Sequence, residues 1–595
     1  MEGSKHRATA TGCRHHADSR TRLQSGGRTA QHHPGGNMKR SSLAVLTAAV
    51  LALLLAGATN AMAAKSAKSS TWHDKTSTWY VESLAPANGK GTRNSPFNTL
   101  VAAENASKAG DTIVILRSPA GTPPLDGGIQ LKAKQTLVGD GPKVIGRPAA
   151  ASLPRIANTT TRLEGDAVRV ATGVEVKNLR IVTSRHGAIY GLDAGDVEII
   201  GNDVTAANAS CDAPGGHWVA GAIMLDAGAK VSPVRIEGNM VRDINCPGDG
   251  ITLRGNGTGA IHGEFVKNTV TRVRASTGIG MGVVSRDSSK VTANSYRDTV
   301  TDFGNPVSGH NESMYGKVEG DGLVVYNIDR AAVGPNIGTS STNGLELWIG
   351  GSSPNAPTAL NGGRLYSTVT NSLFFDNPQD MFEMNNTQAE DGKMHLTLKN
   401  VIAKNTFTGG IEPPFNIGTG QADCLSIFNR PGLNSVNEFR MINSTFENCS
   451  GDGIHAWTAN PNTTRVELID STIANSGNDA IQYVSLAPTA KVDIDVEGSK
   501  LSEAANTLMA FNQTAPLNPD EGTIDLEGQN CFIGGDIATI ETTGFNVLAK
   551  RSWWGSAAGP AAGSIRTTAG TVAVSPVLTR KPDCGSSTTG LGLDD

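Results

Sequence analysis

A short pattern that returns about every thirty residues is the feature that most constrains this chain. Each unit has a polar or small residue, a small residue, and then two aliphatic residues separated by one position. Such a period is typical of a solenoid, whose units bury their apolar face only by stacking on one another. The aliphatic alternation predicts a short strand in every unit. The first residues of the units, here called ladder residues, are Asp166, Asp249, Asp321, Asn343, Asp380, Asp423, Asp452 and Asp479, with weaker copies at Gly187, Gly221, Thr277 and Asn506.

A second recurring piece lies between the ladder strands. It consists of an aliphatic–x–aliphatic strand, an Asn or Ser, and another short strand, as in 234–241, 439–446 and 466–473. Two or three short strands per turn, all running the same way, predict a parallel β-helix. Asn and Ser at equivalent corners can stack in hydrogen-bonded ladders. The 70 glycines suit the many tight corners that such a coil requires.

Three segments carry a resemblance to a known family. These are Trp79–Val81, Ser95–Leu100 and, near the end, Trp553–Gly555. With the repeat, they make the chain similar to the pectin-lyase-like superfamily. The resemblance implies an all-β fold, a right-handed parallel β-helix of about 12 or more turns over residues 78–580. It also implies a C-terminal tail over 581–595.

The resemblance further implies that a short amphipathic helix over Leu100–Ala109 caps the first turn. It does not supply catalytic residues. Polygalacturonase-like enzymes carry Asn-Thr-Asp, Asp-Asp, Gly-His-Gly and Arg-Ile-Lys, and none of these motifs occurs here. The Asp-Pro-His motif of alginate-epimerase-like members and the Arg-x-Pro-x-x-Arg motif of pectate lyases are missing as well. The fold hosts many functions, so activity has to be argued from this chain's own residues.

The first residues predict export. Residues 38–63 contain a basic start, an apolar run and a small-residue cleavage site, which is the pattern of a secretory signal peptide. Residues 1–37 lack apolar periodicity and are interpreted as an upstream extension that is not native to the protein. Loss of both segments makes the chain more acidic than its formal charge of −4, which argues against a nucleic-acid partner. We expect a secreted or periplasmic monomer, with no membrane association after cleavage.

Six cysteines remain after the signal peptide: Cys211, Cys246, Cys424, Cys449, Cys531 and Cys584. An even number in an exported protein predicts disulfides, although six cysteines allow 15 pairings. We favour a bond between Cys424 and Cys449, because these two positions fall on neighbouring turns of the repeat. No cysteine–histidine spacing typical of a zinc site occurs, and no metal site is assigned.

The register of the repeat predicts which side chains point outward. Residues two and four after a ladder residue are aliphatic and face the core, so those three and five after it face out. We call these outward positions the +3 column and the +5 column. The candidate catalytic residues, all in the +3 column, are Glu346, Glu383 and His455, and the candidate substrate-binding aromatics of the +5 column are Tyr326, Trp348, Phe428 and Trp457.

Carboxylates and imidazole beside flat aromatic rings suit a carbohydrate. Rings pack on sugar faces, while the polar groups bind hydroxyls or transfer protons. Glu346 and Glu383 should be stacked neighbours, at about the 5–5.5 Å used in retaining glycoside cleavage. The same pair could instead bind calcium, a cation that prefers oxygen ligands. The structural alternatives are a covered satellite core for the aromatics and solvated surface positions for the glutamates and His455. The ladder aspartates are interpreted as corner residues that bond the backbone.

The leading hypothesis is therefore a secreted β-helix protein that binds a polysaccharide in a central groove, with cleavage by a lyase or hydrolase reaction left open. Long inserts over 206–220, 302–318, 350–363, 386–394 and 409–421 are expected to be loops, and the last four of them to wall this groove. The alternative is a non-catalytic surface, adhesion or scaffold protein that uses the coil as a rigid rod.

Overall fold

The structure is a computed structural model that describes the chain from residue 76 to residue 585. The segments it leaves out of that range are 142–152, 212–220, 229–232, 245, 247, 274–277, 286–288, 302–308, 316–317, 322–323, 327–339, 350–363, 378, 387–390, 407–421, 430–433, 460, 488, 514–521 and 537. Between 309 and 349 it gives the strand backbone, with side chains only for Leu345 and Leu347. The expected upstream extension, the signal peptide, most of the tail and most of the predicted loops lie outside the described residues.

Each turn of the coil is built from up to three short strands, and the named strands pair with the neighbouring turns in parallel. The strands that follow the ladder positions are here called ladder strands. They are β3 (Ile129–Gln130), β6 (Val168–Val170), β9 (Ile189–Leu192), β12 (Gly221–Ala227), β15 (Asp249–Gly255), β18 (Gly278–Ser285), β21 (Gly309–Tyr315), β24 (Ser340–Ile349), β27 (Phe382–Asn386), β30 (Leu425–Asn429), β33 (Ile454–Thr458), β36 (Ile481–Ser485), β39 (Thr507–Gln513) and β42 (Ala538–Leu548).

The second strand of a turn pairs with its own counterparts above and below. The second strands are β1 (Thr78–Val81), β2 (Thr112–Ile115), β4 (Thr136–Gly139), β7 (Glu175–Lys177), β10 (Val197–Ile200), β13 (Val234–Glu237), β16 (Ala260–Val266), β19 (Lys290–Tyr296), β22 (Val318–Asp321), β25 (Arg364–Thr370), β28 (Lys393–Lys399), β31 (Val436–Ile442), β34 (Thr463–Ile469), β37 (Lys491–Glu497), β40 (Gly522–Asp525) and β43 (Ile565–Ala573). Because β42 pairs both with β39 and with β40, ladder and second strands form one 30-stranded sheet.

The third strands form a separate sheet of 13 strands. They are β5 (Arg155–Asn158), β8 (Arg180–Ser184), β11 (Asp203–Thr205), β14 (Met240–Ile244), β17 (Thr269–Val273), β20 (Thr299–Thr301), β23 (Val324–Tyr326), β26 (Leu373–Asn377), β29 (Ile402–Thr406), β32 (Thr445–Glu447), β35 (Thr472–Ala474), β38 (Lys500–Ser502) and β41 (Cys531–Ile533). The predicted all-β parallel β-helix is confirmed, and so is its short helix. This helix, α1 (Leu100–Ala106), begins after Thr99, whose Oγ1 accepts a hydrogen bond from the Ala102 N–H.

The core runs along the inside of the coil. Strand β37 shows why these residues form strands, since Val492, Ile494 and Val496 are buried while the residues between them are exposed. This alternation with period two is what a strand with one buried face requires. Several ladder strands depart from it, because β12, β15, β27 and β30 are buried along their whole length. The outward columns of these ladder strands are therefore covered.

Polar ladders hold the corners, as the sequence predicts. The buried Nδ2 group of Asn202 donates to Asn239 Oδ1 at 3.0 Å, and Asn239 repeats this with Asn268. In the C-terminal half, the backbone N–H of Ser444 donates to Ser471 Oγ, and that of Ser471 to Ser499 Oγ. Each bond joins one turn to the next, so the ladders satisfy buried polar groups and fix the register.

Three disulfides join parts of the coil. The favoured pair Cys424–Cys449 is confirmed, and the other two bonds are Cys211–Cys246 and Cys531–Cys584. The third bond ties the C-terminal segment to strand β41. Cys424 lies immediately before β30 and Cys449 just after β32, so this bond braces one turn of the coil beside the site described next.

Candidate active site

Four aspartates stand before β27, β30, β33 and β36, and each is hydrogen-bonded to the next turn. Asp380 Oδ1 accepts the backbone N–H of Asp423 at 2.7 Å, and Asp423 Oδ1 accepts that of Asp452 at 2.6 Å. The Oδ1 atoms of Asp452 and Asp479 accept the N–H groups of Asp479 and Thr507, both at 2.8 Å. The interpretation of these aspartates as corner residues is correct for one oxygen of each carboxylate.

The second oxygens of two aspartates meet a histidine. Asp423 Oδ2 accepts a hydrogen bond from the Ser426 hydroxyl at 3.0 Å and lies 3.2 Å from His455 Nδ1. Asp452 Oδ2 lies 3.6 Å from the same nitrogen. His455 Nε2 has no hydrogen-bond partner among the described residues, and 18 % of the side chain is exposed. We call Asp423, Asp452 and His455 the His455 cluster.

The electrostatics of the cluster favour its protonated forms. Burial lowers the pKa of His455, but the hydrogen bond and charge of Asp423 and the charge of Asp452 outweigh burial and raise it to about 9. Burial raises the pKa of Asp452 to about 8, and the charge of Asp423 adds to that rise while His455 opposes it. Both groups therefore hold a proton at pH 7, which is the state a proton donor needs.

Two more buried acids adjoin the cluster. Burial, reinforced by the charge of Asp423, raises the pKa of Asp380 well above its ordinary range. Glu383 is buried, and its Oε1 accepts a hydrogen bond from Asn385 Nδ2 at 2.8 Å. The backbone bonds account for one oxygen of each aspartate but not for the gathering of these acids beside His455, and displaced pKa values are typical of functional sites.

The structure brings three predicted catalytic residues into one column. Glu346 pairs with Glu383, Glu383 with Ser426, and Ser426 with His455 on successive ladder strands. The predicted stacking of the two glutamates is thus confirmed in backbone register. The side chains of Glu346 and Trp348 lie outside the described residues, and the catalytic roles stay predictions.

The expected position of Tyr326 is wrong. It lies on β23, a third strand, where it pairs with Thr301 and Phe375 and not with Trp348.

The ladder position assigned to Asp321 is wrong as well. Asp321 ends second strand β22, and the ladder position of that turn is held by Glu312, which pairs with Asn343. The insert 302–318 is not one loop either, since it contains β21. Third strands carry the same aliphatic alternation as ladder strands, so the repeat alone does not distinguish them.

Phe428 and Trp457 occupy the +5 column but do not form an open platform. Their rings pack edge to face with centroids 5.5 Å apart, and only 6 % and 4 % of these residues is exposed. Ala459 and the partly buried Val484 complete this small cluster. The satellite-core alternative therefore describes their packing, and their role in substrate binding stays a prediction.

The sequence analysis missed Asp423, Asp452 and Ser426 as site residues. The available signal was the spacing of His455, three residues after one ladder aspartate and one turn beyond another. The in–out alternation that defines the columns applies only within a strand. Because the ladder aspartates precede their strands, the alternation did not predict where their side chains lie.

The His455 cluster could also hold a metal ion, since its three ligand atoms lie within 4.8 Å of one another. Two carboxylates and an imidazole suit a transition metal better than calcium, which takes six to eight oxygens. A cation here would have to displace the protons of Asp452 and His455. Calcium at Glu346 and Glu383 stays a prediction.

Within the part of the chain that the structure describes, no helix is long and apolar enough to cross a membrane.

No protein-family model matches this sequence, and no curated protein matches it. Among solved structures, the chain is similar to a pectate lyase at 12 % identity, covering 78 % of this chain and 82 % of that one, with a TM-score of 0.27. An α-1,3-glucanase catalytic unit from Streptomyces thermodiastaticus matches at 13 % identity, with coverages of 82 % and 66 % and a TM-score of 0.32. A DFA-IIIase from Arthrobacter chlorophenolicus matches at 11 %, with coverages of 68 % and 88 % and a TM-score of 0.28.

TM-scores this low assign no function. The fold rests on this chain's own strand pairings: its parallel sheets, with up to three strands to a turn, are those of a parallel β-helix.

Proposed function

We propose that this protein is a secreted enzyme that binds a polysaccharide along the outer face of β24–β36 and hydrolyses its glycosidic bonds. The observation that carries the proposal is the His455 cluster, a proton-bearing imidazole held by two carboxylates on the outside of the coil. The three disulfides support export to an oxidising compartment.

His455 is suited to act as the general acid. Asp423 engages Nδ1, which fixes the ring and leaves Nε2 as the position from which a proton can reach a glycosidic oxygen. Because Asp452 and His455 both keep a proton at pH 7, the cluster is better suited to donate protons than to remove one from carbon. This favours hydrolysis over the elimination reaction of a lyase, which begins with a base.

Glu383 is the candidate base. It stands two strands from His455 in the same column, which corresponds to about 9.6 Å between backbone positions. In inverting glycoside hydrolysis, the acid and base are about 6.5–9.5 Å apart, which leaves room for a water. Glu383 would take a proton from that water, whose oxygen joins the anomeric carbon as the leaving oxygen receives the proton of His455.

The test incubates the protein with a panel of polysaccharides and measures two products. New reducing ends report cleavage of glycosidic bonds, and unsaturated products report cleavage by elimination. We expect reducing ends without unsaturated products, and a loss of about a hundredfold or more in His455→Gln, the usual scale of general acid catalysis. His262→Gln is the matched control, because His262 contacts Glu264 at 3.1 Å on second strand β16, away from the outward columns of the ladder strands.

Equal turnover by His455→Gln and wild-type protein of the same thermal stability would remove His455 from the mechanism. Unsaturated products would favour a lyase. Binding of a panel member without any product would favour the non-catalytic alternative.

A further inference from the structure

A second polar group lies on the outward columns of the N-terminal ladder strands. Arg254 and Asp226 are register partners on β15 and β12, and they form a two-point ion pair through Arg254 Nε–Oδ1 at 2.6 Å and Nη2–Oδ2 at 2.5 Å. The Tyr190 hydroxyl, on β9, donates to Asp226 Oδ2 at 3.1 Å. We call Tyr190, Asp226 and Arg254 the Arg254 group.

The group has binding capacity that the fold does not use. Arg254 is only 8 % exposed, yet its Nη1 has no hydrogen-bond partner among the described residues. Thr252, two residues earlier on the same strand, is fully buried and its Oγ1 is unpaired. Buried donors without partners are rare in folded proteins, because leaving them unpaired costs about 1–3 kcal/mol each. The buried, unpaired Thr252 hydroxyl, two residues from an arginine whose Nη1 takes no part in the pair with Asp226, points to a ligand that supplies the missing partners.

We propose that the Arg254 group is a second sugar-binding site, which takes an uncharged unit of a glycan. The proposal rests on the proposed function for its ligand class. Tyr190 supplies a flat ring for a sugar face, as aromatic side chains do in contact with apolar surfaces. The Arg254–Asp226 pair supplies donors and acceptors held in fixed positions, which suits hydroxyl groups on adjacent carbons.

Charge decides between neutral and acidic sugars. Arg254 is neutralised by Asp226, and Arg169, which lies over the Tyr190 ring at 5.6 Å, is paired with both Asp166 and Glu164. In the described part of the central site, His455 is the one basic side chain, and it is paired with Asp423 and Asp452. Neither site therefore offers an unpaired cation to the carboxylates of a uronic-acid polymer, whereas an uncharged glycan needs none.

The two sites belong to one continuous face. The +3 column runs from Thr252 through Gly282, Tyr315, Glu346, Glu383 and Ser426 to His455. Six strand spacings separate the Arg254 group from the His455 cluster, or about 29 Å. A single glycan chain lying along the coil would therefore reach both sites only if it is several sugar units long.

The experiment measures binding of uncharged hexasaccharides (xylohexaose, cellohexaose and laminarihexaose) and of hexagalacturonate by calorimetry. We expect at least one uncharged hexasaccharide to bind more tightly than hexagalacturonate. Tyr190→Ala should weaken that binding about five- to tenfold, the scale of one aromatic contact. Tyr190→Phe, which keeps the ring, should restore most of it. Arg254→Lys, which keeps the charge but loses the two-point geometry, should also weaken it.

The matched control is Tyr296→Ala. Tyr296 is an exposed aromatic that, like the partly buried Tyr190, has an arginine over its ring, here Arg297 at 5.4 Å, but it lies on second strand β19.

Four results would each overturn this proposal. They are unchanged affinity in Tyr190→Ala, equal losses in Tyr190→Ala and Tyr296→Ala, tighter binding of hexagalacturonate, and no binding of any hexasaccharide. Loss of turnover in His455→Gln with full binding by Tyr190→Ala would refute only the second site. Weaker binding by Tyr190→Ala with normal turnover by His455→Gln would refute only the proposed cleavage.

Discussion

The Arg254 group and the His455 cluster lie on the same outer face of the ladder strands but are built from groups of opposite character. Arg254 and Asp226 form a closed ion pair, and the hydrogen bond and charge of Asp226 outweigh burial and raise the pKa of Arg254 further. Arg254 therefore keeps its proton near neutral pH. In the His455 cluster, a residue of the +3 column and two ladder residues bring together groups with pKa values of about 8 and 9.

The difference teaches how one scaffold can separate recognition from chemistry. A strong base paired with a carboxylate gives a rigid set of donors and acceptors, which suits binding. A weak base shared between two buried carboxylates holds a proton that it can release, which suits catalysis. Both lie outside ladder strands whose residues two and four after the ladder position are buried in the core.

The largest expected effect tests the closed ion pair. Arg254→Met would leave the Asp226 carboxylate buried with only Tyr190 as a partner, so we expect a loss of about 3–5 kcal/mol in the free energy of unfolding. The double variant Asp226→Asn/Arg254→Met should recover most of that loss. Asp423→Asn, which keeps an Oδ1 acceptor for the Asp452 N–H, should cost clearly less. Denaturant unfolding measures all three, and equal costs for Arg254→Met and Asp423→Asn would erase the contrast between the two groups.

A second, smaller effect tests the proton-holding character of the His455 cluster. The folded-state pKa values of His455 and Asp452 lie above their unfolded values, so the folded protein binds protons more tightly. Stability from His455 is complete below about pH 6.5 and is lost as the pH rises through about 9. Asp452 adds a loss between about pH 4 and pH 8.

We therefore expect the free energy of unfolding to fall between pH 6 and pH 10, with His455 contributing on the order of 3 kcal/mol. His455→Gln should flatten this dependence, whereas Arg254→Lys should leave its slope unchanged. Unfolding curves across this range measure both, and a wild-type slope that His455→Gln retains would contradict the assignment of the pKa values.

The smallest expected effect concerns metals. Because Asp452 and His455 hold protons where a cation would need ligands, we expect EDTA to change neither turnover nor the unfolding midpoint. Calcium added after chelation should likewise have no effect. If EDTA abolished turnover and one added metal restored it, the His455 cluster would be a metal centre. The two groups would then differ in that the His455 cluster binds a metal and the Arg254 group does not.

Much of this architecture could be read from the repeat. The aliphatic pairs predict the inward faces, the Asn and Ser corners predict the polar ladders, and the spacing of Cys424 and Cys449 predicts their bond. The register of Glu346, Glu383 and His455 also followed, because each of these residues has the same offset from a ladder residue. The prediction failed at Tyr326, where a third strand imitates the ladder pattern, since inward packing makes the same demand on every strand of the coil.

The sequence by itself determined that this chain is a parallel coil and which strand positions face outward, because a period of two and a repeat of fixed length are properties of the backbone. Only the tertiary structure decided which outward residues act together. His455 meets Asp423 across a turn boundary, and Arg254 meets Asp226 in the same way. It also decided that Phe428 and Trp457 are covered by their surroundings. These outcomes depend on distances between turns and on burial, and residues some thirty positions apart in the chain carry no local signal of either.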